Sequence, residues 1–327
     1  MATGGTALVE LGRGAAEIDA SRMTTPRIAL KFQVGARTLA TIPRRLVRVA
    51  FSLDAVLAPA ATATRLVLPP LPDDADGYMV TSLPEPMLAG LDRRGLLAFV
   101  RQRYVRYHVD LAAGEAAWLA GLSGSARSGI KRKAKKLAVA NGGALDIRRY
   151  HDTGAFADFH PIARAVSATT YQEKLLGSGL PDDVASVRHL ESLAAQDGLR
   201  AWLLFIAGVP VAYLCCTAHG ESLCYTHVGH DPAHNDLSPG AVLQVEAMCE
   251  LFADGQFARF DFTEGEGQHK RQFSTAGTAC VDVLLLRRTL GNRATLAALR
   301  GFEATIAAAK HAATFPALAK LAKKIRR

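Results

Sequence analysis

Two apolar runs separated by a short turn constrain this chain more than any other feature. Residues 199–207 read Leu-Arg-Ala-Trp-Leu-Leu-Phe-Ile-Ala, and residues 211–218 are almost as apolar. Gly208-Val209-Pro210 between them can turn the chain tightly, which makes the second run the antiparallel partner of the first. A third extended run, 223–229, follows a turn at Glu221-Ser222. A loop over 230–237 leads into a helix over 238–253. Strands at 257–262 and 280–286 complete the series, separated by a polar loop. The order predicts a mixed α/β domain in which an antiparallel meander feeds a crossover helix.

Upstream, residues 28–34 alternate, Gly35-Ala36-Arg37 can turn the chain, and 38–42 is extended again, which predicts a hairpin. Residues 66–72 hold Pro69, Pro70 and Pro72 and read as a strand end or loop. A strand is expected over 103–111. A helical piece follows, with Trp118, Leu119 and Leu122, and then Ser123-Gly124-Ser125 leads into 126–140. That second part carries Arg127, Lys131, Arg132, Lys133, Lys135 and Lys136, with Ile130 and Leu137 on one face. It is either a solvated helix face or an anion-binding surface. A strand at 145–150 and helices at 156–174 and 182–196 lead to the apolar runs.

The 327 residues carry a net charge of +9, which favours an anionic partner without choosing among nucleic acid, membrane and phosphorylated small molecule. Five cysteines with irregular spacing and no CxxC pair fit a reduced set better than disulfides or zinc. With no run of about 18 apolar residues and no leader-like start, a cytoplasmic location is expected, and no metal is expected.

Ser238-Pro239-Gly240 is the sharpest local feature. Serine is a good N-cap and proline suits the first helical position. The amides of Gly240, Ala241 and Val242 would then face outward as an anion site. The motif is common, and its neighbours give it weight. Tyr225 and His227 stand on the strand before it, and Asp261 and Glu264 at the strand end after it.

Five motifs in order are Gly-Val-Pro-Val-Ala (208–212), Tyr-Thr-His-Val-Gly-His-Asp (225–231), Ser-Pro-Gly (238–240), Phe-Asp-Phe-Thr-Glu-Gly (260–265) and His-Lys-Arg-Gln-Phe (269–273). Together with Arg127 and the basic helix, this stretch resembles the GNAT acyltransferases of the CelD/BcsL type, relatives of the FemAB group, over roughly 110–286. The resemblance implies a GNAT fold with a mixed, largely antiparallel central sheet, joined to a degenerate N-terminal GNAT-like lobe. It divides the chain into a tail (1–24), that lobe (25–110), the acyltransferase domain (111–290) and a basic amphipathic end (291–327). It implies an acyl thioester donor, acyl-coenzyme A first, with its pyrophosphate at Ser238, Gly240, Ala241 and Val242. The acceptor would be an amine attacking the thioester directly. Asp261 or Glu264, with His227, is the expected base, and Tyr225 the proton donor. Arg127, His269, Lys270 and Arg271 are expected to hold the acceptor. Where the family has several glycines this chain keeps Gly240 alone, which leaves an acyl carrier protein open as donor. Where relatives often have Tyr-Lys, it has His269-Lys270.

After Gly291, Leu296, Leu299, Phe302 and Ile306 share one helical face. Lys310, Lys320, Lys323, Lys324, Arg326 and Arg327 then interleave with Phe315, Leu318, Leu321 and Ile325. Such an end either docks on the protein or lies on an anionic membrane surface, and the second option suits a lipid-linked acceptor. Three functions follow. One is N-acyl transfer to an amino sugar or a sphingoid-type amine. Another is FemAB-like aminoacyl transfer from charged tRNA, which the short N-terminal lobe disfavours. The third is a non-catalytic binding module.

Overall fold

The structure is a computed structural model and describes residues 27–34, 37–58, 66–93, 95–170, 173, 179–265 and 267–313. The chain forms two compact units that are discontinuous in sequence. One comprises residues 1–51, 59–103 and 281–327, and the other comprises 52–58 and 104–280. The linear boundaries expected at 110/111 and 290/291 do not describe this division. The unit boundary falls inside two long strands, one spanning 97–110 and the other 276–286. A strand's hydrogen-bond partners, not its place in the sequence, decide which unit each half joins.

In the larger unit the strand order is β4(Leu97–Asp110)-β9(Arg259–Asp261)-β8(Ser222–His230)-β7(Val209–His219)-β6(Leu199–Ile206)-β5(Asp146–Tyr150). Only the β8–β9 pair among these is parallel. This is the mixed, largely antiparallel α/β sheet expected from the sequence. Every residue of β6 but Ile206 is buried, because helices cover both sheet faces. On one face α4(Thr153–Thr169) and α5(Val184–Ala195) pack against Leu199, Ala201, Leu203 and Phe205. On the other, α2(Glu115–Gly121), α3(Gly124–Ala140) and α6(Pro239–Asp254) pack against Trp202, Leu204, Leu214 and Cys216.

Local chemistry sets the joints. Ser52 caps the short helix α1(Leu53–Leu57) by accepting from the Ala55 amide at 3.1 Å, and Ser123 caps α3 by accepting from the Ala126 amide at 3.2 Å. The β6–β7 turn is Ala207-Gly208, both at positive φ, as two-residue hairpins require. Val209 and Pro210, expected in the turn, already pair with β6. The strand expected at 257–262 shrinks to three residues, since Phe257 is buried in the core outside the ladder. The polar loop expected after it contains a short helix, α7(Gln268–Phe273), and the 230–237 loop contains a 3-10 turn over Pro232–Leu237.

In the smaller unit β1(Arg27–Val34) and β2(Arg37–Ala50) form the expected hairpin, whose tip lies outside the described residues. β2 pairs in parallel with β3(Gly77–Pro84), which the sequence reading passed over. Strand β10(Ala276–Leu286) follows β3 in the sheet. Gly77 permits the fit: a Cβ there would lie 1.8 Å from the Leu285 carbonyl oxygen. Asp282 accepts from the Ser82 amide at 2.9 Å and Gln102 Nε2 at 2.7 Å.

Helix α8(Leu290–Ala313) buries Leu296 and Leu299 against Leu30, Phe32 and Leu46. Phe302 meets Phe32 edge-on at 5.3 Å. The apolar face expected for this helix is therefore spent inside the protein up to Phe302. The tail over 1–24, the side chain of Lys310 and the basic end from Phe315 to Arg327 lie outside the described residues. No described helix is long and apolar enough to cross a membrane.

Candidate active site

Strand β8 begins beside β9 and then loses it. The pairs are Ser222↔Arg259, Leu223↔Phe260 and Cys224↔Asp261. β8 then runs on to His230 with β7 as its partner, while the Phe262 amide turns to the Tyr107 carbonyl at 3.1 Å. The two strands thus splay, leaving β8 backbone beyond Cys224 unpaired by β9.

A bulge in β8 decides what faces that gap. Cys215 pairs with His227 and Cys216 with Tyr225, so Thr226 is an extra residue. Cys215 belongs to the α4/α5 core and Cys216 to the α6 core. Tyr225 and His227, two apart and expected to act together, therefore lie on opposite faces. Tyr225 packs against Phe260 and Phe262, both at 5.8 Å, and against His269 at 6.2 Å. Its hydroxyl reaches Gln244 Oε1 at 3.4 Å. Burial pushes the phenol's proton affinity up, so it stays protonated. Burial lowers that of His227, opposed by a hydrogen bond to the Gly179 backbone.

On the Tyr225 side a slot of about 370 Å³ opens between three helices. Ala126, Gly129, Ile130, Lys133 and Ala134 of α3 form one wall, and Ala241, Val242, Val245 and Glu246 of α6 another. Gln268, His269, Gln272 and Phe273 of α7 close it. Burial, and then the Lys270 charge, lower the proton affinity of His269, so its imidazole is neutral at pH 7. Burial raises that of Glu246, helped by Glu250 and Glu115. The slot thus presents two titratable groups shifted toward each other. Glu246 and Gln244 have no sequence signal beyond being polar residues on an otherwise apolar helix, whereas Lys133 belongs to the basic run that reads as a solvated face or an anion-binding surface.

The helix start differs from the expected anion cradle. Ser238 sits in the left-handed region (φ 53°, ψ 49°) and its side chain caps nothing. Its carbonyl accepts from the Ala241 and Val242 amides at 3.1 and 3.2 Å, so two of the three expected donors are already used. A Cβ on Gly240 would stand 3.2 Å from His230 Nδ1, and that close neighbour is what calls for glycine. Ala241 and Val242 do line the slot, through their side chains.

Asp261 does not stand free as a base. It is fully buried and accepts from Arg106 Nε (3.2 Å), Arg106 Nη2 (2.5 Å) and the Thr263 amide (2.8 Å), with Cys224 Sγ at 3.8 Å. Burial works against the Arg106 charge, and the Asp261 bond outweighs it and keeps the guanidinium protonated. The arrangement is a structural ion pair across 155 residues. Glu264 is exposed, and its carbonyl accepts from Lys270 Nζ at 2.7 Å. Burial lowers the proton affinity of Lys270, partly offset by Glu264 and Asp261.

Arg127 is committed elsewhere, donating to the last α2 carbonyls at Leu119 (3.1 Å) and Ala120 (3.2 Å). Arg271 Nε meets the Tyr107 hydroxyl at 3.1 Å. Of the residues expected to hold an acceptor, His269 alone lines the slot. Among the described residues no cluster of three or more His, Cys, Asp or Glu is placed to hold a metal.

Residues 124–271 match the family described as the acetyltransferase (GNAT) domain, and the element order of the larger unit has that α/β fold. Solved structures are similar at a lower level. The C-terminal domain of a putative lysylphosphatidylglycerol synthetase from Agrobacterium fabrum has a TM-score of 0.47 at 13% identity, covering 70% of this chain and 72% of that one. FemX has a TM-score of 0.47 at 10% identity, covering 75% and 81%. A GCN5-related N-acetyltransferase from Kribbella flavida has a TM-score of 0.36 at 13% identity, covering 67% and 72%. No curated protein matches the chain.

Proposed function

We propose that this protein is an N-acyltransferase that moves an acyl group from a thioester to a primary amine by direct attack in a ternary complex. The gap where β8 leaves β9 beyond Cys224 carries the reading. A thioester carbonyl in that gap would meet strand N–H groups fixed in place, which stabilise the developing oxyanion without reorganisation. The acyl arm would reach it from the slot. His269, neutral and lining that slot, would take the ammonium proton, directly or through a water. Tyr225, kept protonated by burial, would give its proton to the departing thiolate. The acceptor class we favour is an amine of an envelope precursor, either an amino sugar or a sphingoid-type lipid.

The test is thiol release from acyl-coenzyme A, acyl-pantetheine and an acyl-loaded carrier protein, with several chain lengths, against a panel of amino sugars and long-chain amines. Amine-dependent release that falls about 100-fold or more in His269→Ala is expected. Release from no donor, or transfer from aminoacyl-tRNA alone, would remove the proposal.

A further inference from the structure

We infer that the donor reaches this site on the phosphopantetheine arm of an acidic carrier protein, which docks on the exposed face of α3. The inference rests on the acyl-transfer reading and adds the donor's partner.

Three observations converge. The first is the slot itself. Its α3 wall is Ala126, Gly129, Ile130 and Ala134, with one cation, Lys133. Half-apolar and narrow, it suits a slim amide-bearing arm with a single phosphate.

The second is the helix start where a pyrophosphate would have to rest. Two of its amides are held by the Ser238 carbonyl. The preceding turn carries the carboxylates of Asp231 and Asp236. Asp236 is 70% exposed and engages one lysine, Lys136, at 3.3 Å. Two carboxylates and few unused amides make a poor seat for coenzyme A with its additional phosphates. A carrier-borne arm has no such groups to place.

The third is the outer face of α3. The helix contains six basic residues and no acid. Arg127 caps α2 and Lys136 holds the Asp236 turn, leaving Lys131, Arg132 and Lys135 exposed on the outer face of α3, turned away from its slot-lining residues. Carrier proteins are acidic around the serine that bears the arm, so the charges are complementary, and the flexible arm would pass over Lys133, which is exposed and lines the slot. The positive face is one helix wide, which matches one helix of a small protein rather than an extended nucleic-acid track.

Binding tests this directly. The full chain is titrated with apo and holo forms of a bacterial acyl carrier protein, with coenzyme A and with tRNA, at low and moderate salt. The holo carrier should bind more tightly than apo carrier or coenzyme A. Lys131→Glu with Lys135→Glu should weaken it about tenfold or more. Arg188→Glu on α5, an exposed charge on a different helix, should change it less than twofold, and thermal midpoints should show all variants folded. The inference is overturned if coenzyme A or tRNA binds more tightly than holo carrier, if apo and holo bind alike, or if the α3 reversal has no effect. Thiol release separates the two levels. Amine-dependent release from acyl-coenzyme A without carrier binding refutes the docking alone. Carrier binding as described, with no thiol release from any donor, refutes acyl transfer and leaves the docking surface standing.

Discussion

The Arg106–Asp261 pair decides whether the acid at the end of β9 is chemistry or architecture. Asp261 is 0% exposed and Arg106 6%, and the carboxylate receives the guanidinium, a backbone amide and a thiol. Asp261→Asn keeps the shape and removes the buried negative charge that Arg106 meets through two of its nitrogens. Losing one partner of such a pair costs about 3–5 kcal/mol. In a domain of this size that lowers the melting temperature by roughly 10 °C. Replacing both partners, as Arg106→Met with Asp261→Leu, should recover more than half of that loss, because an apolar pair needs no charge compensation. The assay is a double-mutant cycle by urea unfolding, with thiol release measured on each folded variant. If Asp261→Asn unfolds within about 0.5 kcal/mol of the parent yet is inactive, Asp261 is a catalytic base and its structural assignment here is wrong.

Further perturbations separate the other groups. The pH–rate profile should be flat at neutral pH and fall as pH drops through a value below the ordinary 6.5 of histidine, since His269 must be neutral to accept a proton; this limb should vanish in His269→Asn, and a limb that persists there belongs to another group. His151 is held at about 4, mainly by burial and then by Arg200. The unfolded chain therefore binds a proton that the folded chain refuses between about 6.5 and 4, and stability should fall as pH drops through that window; His151→Gln should flatten the dependence in urea titrations at pH 7 and 5. Gly77→Ala would drive a Cβ to 1.8 Å from a carbonyl oxygen, whereas at Gly277 it would meet the Val105 side chain at 2.5 Å. Backbone gives less than a side chain, so Gly77→Ala should cost about 3 kcal/mol or more and Gly277→Ala less, an order that thermal melts can invert or confirm.

Much of the larger unit was legible in the letters, because its strands and helices announce themselves by local patterns. The meander, the helix after Ser238 and the strand leading into the 260–265 motif follow from apolar runs and turn residues. The smaller unit was legible in its first hairpin and in the apolar face of α8. Strand β3 was missed because its near-continuous burial arises from parallel pairing with β2 and from a glycine under Leu285, neither of which has a local signature.

By itself, the sequence determined that a helix begins after Ser238, that acids cluster at the end of β9, and that α3 is basic throughout. Tertiary structure decided what those features do. Period-two alternation places Tyr225 and His227 together, and one extra residue at Thr226 puts them on opposite faces. Asp261 reads as a base beside Lys270, and a partner 155 residues away makes it half of a buried ion pair. The Ser238 carbonyl takes two of the amides that the letters offer to phosphate. Propensity, charge and periodicity are properties of neighbours along the chain. Which polar atom spends which hydrogen bond is fixed only when distant segments exclude water together.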